Sequence, residues 1–135
     1  HRRRLSGPLL DRVDVMLSVQ RPTAVELAGG GDVTTSETAR ARVVEARDRQ
    51  LLRSGRVNAH LTTAELRRVT RLEPAAERML AMAYERGRIS ARGHHRILRV
   101  ARTIADLSGH DRVLAQDVAH ALGLRLDETP ASAAA

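Results

Sequence analysis

Val13, Val15, Leu17 and Val19 share one side of an extended segment, with Asp14, Met16, Ser18 and Gln20 on the other. This period-two pattern predicts a short strand. A lone strand cannot satisfy its own hydrogen bonds, and no convincing second strand follows. The strand is therefore expected to belong to a sheet built by sequence outside this chain, which would make the chain a piece of a longer protein. Residues 21–33, with Pro22 and the run Gly29-Gly30-Gly31, read as a flexible connector.

Downstream the periodicity becomes helical. Thr34 and Glu37 have capping-box spacing, and the Ala-, Arg- and Glu-rich stretch that follows predicts a helix to about Ser54, stopped by Gly55. Its apolar stripe is thin. Val44 and Leu51 share a face with Arg40 and Arg47 close beside them, so part of that face reads as a contact surface. Thr62 and Glu65 repeat the capping-box spacing before a short helix to about Thr70. Pro74 suits a first helical turn, and the segment to Arg86 is periodic through Ala76, Met79, Leu80 and Ala83, with Gly87 as its stop. Ser90 caps the strongest helix, Ala91 to Ser108, with an expected buried stripe of Ile97, Val100, Ala101, Ile104 and Leu107. A last short helix runs from about Ala115 to Leu122, carrying Val118, Ala119 and Leu122.

The predicted fold is mainly α: a small helical bundle over residues 34–126, preceded by a flexible, strand-bearing arm over residues 1–33. The low apolar content from Glu128 to Ala135 predicts a frayed, disordered tail over residues 127–135.

Composition sharpens this picture at two points. With no Phe or Trp and a single Tyr84, the core must be aliphatic and rich in Ala. All 23 basic residues are Arg. A Walker A loop needs a Lys to reach the β- and γ-phosphates, so that motif cannot occur here, and Schiff-base chemistry is excluded as well. The net charge of +7 suggests affinity for polyanions, although a solvated surface explains the same number. The absence of Cys removes disulfides and thiolate metal sites and fits a cytoplasmic protein. No stretch approaches a membrane span or a signal peptide.

Three groups of residues invite a chemical reading. Arg12 follows the turn Gly7-Pro8-Leu9-Leu10-Asp11 and precedes the predicted strand. There it would be a guanidinium on a short lever that can reach a phosphate on another molecule, or an ordinary surface partner of Asp11 or Asp14. Arg92, Arg96, Arg99 and, at the edge, Arg102 lie roughly opposite the apolar stripe of the long helix, with Gly93 on the packed side allowing close helix approach. Arg92 sits in the first turn, where free amides and the helix dipole already favour an anion. The other three are candidate polyanion contacts or simply a solvated face. The third group is histidine. His94 and His95 are adjacent and so point about 100° apart, which does not suit a shared metal, and no protein metal site is predicted.

The segments Leu5-Ser6-Gly7-Pro8-Leu9-Leu10-Asp11-Arg12-Val13-Asp14, Ile89-Ser90-Ala91-Arg92 and Arg96-Ile97-Leu98-Arg99-Val100-Ala101-Arg102-Thr103-Ile104-Ala105-Asp106-Leu107 resemble the magnesium-chelatase-like AAA+ ATPases of bacteria. The competence-associated branch is a better match than the porphyrin-pathway chelatase subunit. The Ala39-to-Leu52 helix and the Asn58-Ala59 turn also fit, and the resemblance runs from about residue 2 to 126. It implies the lid portion of a hexameric ring motor. Arg12 would be the arginine finger that reaches the γ-phosphate held by the neighbouring subunit, and Arg92 the sensor-2 residue on the nucleotide phosphates. It further implies ATP and Mg2+ as cofactors of the complete protein, neighbouring subunits as partners, and DNA as a possible substrate. The piece itself would hold neither cofactor tightly and would be inactive alone.

Two other readings use the same residues. A true chelatase motor would employ this lid to insert a metal into a porphyrin, but the Asp11-Arg12-Val13-Asp14 form of the finger motif favours the competence-associated branch. A free-standing basic helical module would bind nucleic acid alone, with affinity falling steeply in salt, and it leaves the segment 13–19 without a purpose.

Overall fold

The computed structural model describes residues 12–17, 19, 21–28 and 34–126. A four-residue helix, α1 (Ala24–Leu27), lies in the arm. Then follow α2 (Ser36–Ser54), a 3-10 turn (Asn58–His60), α3 (Thr63–Val69), α4 (Pro74–Glu85), α5 (Ala91–Ser108) and α6 (Ala115–Leu126). The chain is mainly helical, as its periodicity indicates. The Gly29-Gly30-Gly31 run, the turn at Gly7-Pro8 and the tail from residue 127 lie outside the described residues.

The helix boundaries follow local chemistry. Thr35, one residue later than the capping spacing suggests, caps α2: its hydroxyl accepts from the Thr38 amide at 3.2 Å. Thr62 and Glu65 form a reciprocal capping box at α3, with the Glu65 carboxylate accepting from the Thr62 amide at 2.8 Å. These bonds to Thr62 hold the Glu65 pKa below its ordinary value. Pro74 opens α4, and Ser90 caps α5 by accepting from the Gly93 amide at 3.1 Å. The start of α6 is capped by two acids: Asp117 accepts from the Leu114 amide at 2.9 Å and Glu73 from the Ala115 amide at 2.8 Å.

α5 is the central element, with α6 and α2 packed against it and α4 lying mainly on α6. The segments before α4 and α6 are joined by a parallel bridge between Leu72 and Val113, in which the Glu73 amide donates to Val113 and the Val113 amide to Arg71. Leu66, Leu80, Ile97, Ala101, Ala105, Val113 and Val118 make an aliphatic core. Each large aliphatic side chain buried there contributes about 1.5–3 kcal/mol of transfer free energy.

The buried face of α5 is rotated from the expected stripe. Ile97 and Ala101 are buried as expected, but so are Leu98, Arg102, Ala105 and Asp106, while Val100, Ile104 and Leu107 are only half-buried. α2 causes the rotation. Its Arg53 and Arg49 reach the C-terminal half of α5 and draw that side inward. α2 itself buries only Ala46 and Gln50, so Val43, Val44, Leu51 and Leu52 remain exposed.

No strand forms among the described residues, including 13–17 and 19, where the alternation predicts one. With no neighbouring strand to pair with, the backbone there uses helix-end groups. The Met16 amide donates to the Leu124 carbonyl at 2.8 Å, in the last turn of α6 where carbonyls lack intrahelical partners.

Candidate functional site

The N-terminal turn of α5, the bundle's central helix, is exposed at Ser90, Ala91 and Arg92. Ser90 satisfies one of its orphan amides, and Arg92 projects from the same turn. The Arg92 side chain is exposed and makes no hydrogen bond or ion pair among the described residues. Positive dipole, amides and guanidinium together favour an anion at this place.

Arg12 is also exposed and has no such partner among the described residues. The chain just after it is fastened to this end of the bundle. The Val13 carbonyl accepts from Arg125 Nη1 at 3.0 Å, and Asp14 Oδ1 accepts from Arg96 Nη1 at 2.9 Å. Asp14 therefore pairs with Arg96, one turn after Arg92, and not with Arg12. Arg125 lies against the first turn of α5: a Cβ built on Gly93 would be 3.6 Å from its Nε. The segment carrying Arg12 and the turn carrying Arg92 thus meet through Arg96 and Arg125.

The other arginines expected in one row have separate fates. Arg99 is half-buried and donates through Nη2 to the Leu61 carbonyl at 2.9 Å, tying α5 to the end of the 3-10 turn. Arg102 is not a polyanion contact. It is fully buried and donates to Asp106 Oδ1 from Nε and Nη2, to the His110 carbonyl from Nη2 and to the Asp111 carbonyl from Nη1. The sequence reading placed it at the edge of the exposed face. The rotation of α5 carries that edge into the core, and its charge is met there by Asp106.

Asp106 is the residue that the sequence reading did not single out. Its carboxylate also accepts from Arg53 Nη1 and Nη2 at 2.6 and 2.9 Å and from Asn58 Nδ2 at 2.8 Å. The Asn58 amide in turn donates to Gln50 Oε1 at 2.9 Å. Burial alone would raise the Asp106 pKa, but the bonds from Arg53 and Asn58 and the charge of Arg102 outweigh it and hold the pKa below its ordinary value. For Arg102, desolvation outweighs the attraction of Asp106 and lowers its pKa. The i,i+4 spacing of Arg102 and Asp106 was the available signal.

His94 and His95 pack edge to face at 5.5 Å, and Tyr84 meets His94 in the same manner at 6.4 Å. Burial, then the charges of His95 and Arg67, hold the His94 pKa below its ordinary value. Among the described residues no three His, Asp or Glu side chains converge in a way that would hold a metal ion. No helix of the described residues is long and apolar enough to cross a membrane.

Comparison with known proteins identifies the family of the chain. Residues 33–125 match the family described as magnesium chelatase, subunit ChlI C-terminal. The chain is 39% identical over 123 residues to Competence protein ComM of Haemophilus influenzae, covering 90% of this chain and 24% of that protein. It is 40% identical over 126 residues to the Uncharacterized protein Rv2897c of Mycobacterium tuberculosis, covering 90% of this chain and 25% of that one. To the Uncharacterized protein YifB of Escherichia coli it is 36% identical over 125 residues, again 90% of this chain and 24% of the relative. It therefore spans about a quarter of the length of these relatives. The family match covers α2 through nearly all of α6, and the relatives extend the likeness to most of the remaining chain. The chain belongs to the magnesium-chelatase-like family of ComM-type proteins and corresponds to its C-terminal portion.

Proposed function

We propose that this chain is the helical lid of a magnesium-chelatase-like AAA+ ring ATPase, to which it contributes Arg12 as arginine finger and Arg92 as sensor 2. The observation that carries the reading is the shared state of these two side chains. Both are exposed and without a partner among the described residues, and their segments are fastened to one end of the bundle. Arg99 and Arg102, further along α5, by contrast spend donors inside the protein.

A planar fork on an exposed turn suits a phosphate, whose oxygens accept paired N–H bonds. Arg92 adds to the amides and dipole of its helix turn, which suits a nucleotide held by the same ring. Arg12 would reach the γ-phosphate held by a neighbouring subunit and stabilise charge in the transition state. The residues present fit two phosphate contacts. The chain has no Lys for a phosphate-binding loop, and no carboxylate set for Mg2+ converges among the described residues; the rest of the complete protein would provide both. DNA is the proposed substrate of the motor, because one relative is named a competence protein and the chain carries a net charge of +7.

The test uses the full-length protein. Arg12→Ala should lower ATP turnover by about a thousandfold while sparing ATP binding, as loss of a finger does in other NTPases. Arg92→Ala should weaken binding of a fluorescent ATP analogue and lower turnover with it. Normal hydrolysis by Arg12→Ala would remove the finger assignment.

A further inference from the structure

The residues after Arg12 are held by three bonds, each from a different backbone or side-chain position. Val13 offers its carbonyl to Arg125, Asp14 its carboxylate to Arg96, and Met16 its amide to Leu124. Two of the anchors stand on the last turn of α6 and one on α5, a single helical turn from Arg92. Arg125 also lies beside Gly93. A segment with no regular structure of its own is thus pinned at Val13, Asp14 and Met16 to the end of α6 and, through Arg96, to the helix that bears Arg92.

We propose that Arg96 and Arg125 are positioning residues that lock the Arg12 segment to the first turns of α5, so that Arg12 and Arg92 move as one unit. This rests on the reading of Arg12 as a finger. Its consequence is that a nucleotide engaging Arg92 also sets where Arg12 is presented to the adjoining subunit. The Asp14–Arg96 pair suits such a role because it contributes little to stability. Asp14 is about half exposed (51%) and Arg96 is 24% exposed, and pairs of this kind have small net energies. Its removal should misplace the segment without unfolding the bundle.

The experiment compares Asp14→Arg, Arg96→Asp and the charge-swapped double variant in the full-length protein, with Arg12→Ala alongside. Each single variant should lower kcat about tenfold, since small displacements of a reacting group cost on that scale or more. ATP affinity and melting temperature should stay close to those of the parent. The double variant restores an opposite-charge pair and should recover most of the lost kcat, a coupling that independent sites would not show. Arg125→Ala should produce the same kcat loss with unchanged ATP affinity.

Unchanged kcat in the single variants, or no recovery in the swap, overturns the proposal. If Arg12→Ala abolishes turnover while these variants are silent, only the positioning role fails. If Arg12→Ala turns over normally, the finger reading fails and takes this proposal with it. Unfolding of a single variant, seen in its circular dichroism, would mean that the pair is structural and would also overturn it.

Discussion

Arg102 and Asp106, one turn apart on α5, form an ion pair at 2.8 Å with each side chain only 1% exposed. Isolated charges cannot be kept so deep in an aliphatic core. Here every acceptor position of the carboxylate is used, and Arg102 also holds the carbonyls of His110 and Asp111 in the turn before α6. The pair is therefore the joint at which α2, the 3-10 turn, α5 and the α5–α6 connection meet. The basis is geometric, because Arg53 comes from α2, Asn58 from the turn and Arg102 from α5 itself.

Removing the carboxylate should be severe, since it leaves Arg102 buried without its counter-charge. Asp106→Ala is expected to cost about 3–5 kcal/mol, the usual penalty for breaking a buried pair from one side. Denaturant unfolding of the parent and variant would measure it. A loss under about 1 kcal/mol would show that water reaches the site and replaces the carboxylate.

The same carboxylate gives a signature in acid. Its native pKa lies below its unfolded value, so its stabilisation is complete above roughly pH 4, the ordinary range of an aspartate. As pH falls below that, the unfolded chain binds a proton first and the stabilisation is lost progressively through the native pKa. Asp106→Asn should flatten the acid limb of the melting temperature below about pH 4. An acid limb identical to the parent's would assign that loss to other carboxylates.

How much of this was legible beforehand differs by element. Thr62, Pro74, Ser90 and Gly55 marked helix ends correctly because caps depend on residues adjacent in sequence. The rotation of α5 was not legible. Its buried side is filled by Ala101, Ala105, Arg102 and Asp106, none of which carries a strong apolar signal, and α2 from fifty residues upstream decides it. The thin stripe of α2 gave a truer warning: Val44 and Leu51 are half exposed, at 50% and 48%. At the candidate site, Arg92 was recoverable from its place beside the Ser90 cap. Its link to the Arg12 segment required Arg96 and Arg125 to find Asp14 and Val13 across more than eighty residues of chain.

His94 predicts a second dependence on pH, in a higher window. Burial against Tyr84 and His95, reinforced by the charges of His95 and Arg67, keeps its native pKa below the unfolded value of about 6.5. The stabilisation is whole above that value and is lost as pH falls from there through the native pKa, because the unfolded chain takes up the proton more readily. His94→Gln should therefore lessen the fall in melting temperature between about pH 7 and pH 5. An equal fall in both proteins would show that His94 does not carry this dependence.

Two glycines at opposite ends of α5 should respond in opposite ways to alanine. Gly93 is buried in the first turn, which suggests a close approach of helices that only glycine permits. The geometry says otherwise: an added Cβ would lie 3.4 Å from Ser90 Oγ, 3.5 Å from Ile89 Cβ and 3.6 Å from Arg125 Nε. These are ordinary contacts, and none is to a packed neighbouring backbone. A helical alanine loses less backbone entropy on folding than glycine, so Gly93→Ala should stabilise by about 0.5–1 kcal/mol. Gly109 is different. Its φ of 76° ends α5 in the left-handed region, where its amide donates back to Ala105 and Asp106. An alanine there has room, with Arg49 Nη2 at 3.6 Å, but its own Cβ strains the backbone. Gly109→Ala should destabilise by about 1 kcal/mol or more. Thermal unfolding of the two variants checks the pair, and a loss on Gly93→Ala as large as that on Gly109→Ala would mean that the first turn of α5 is packed more tightly than these distances allow.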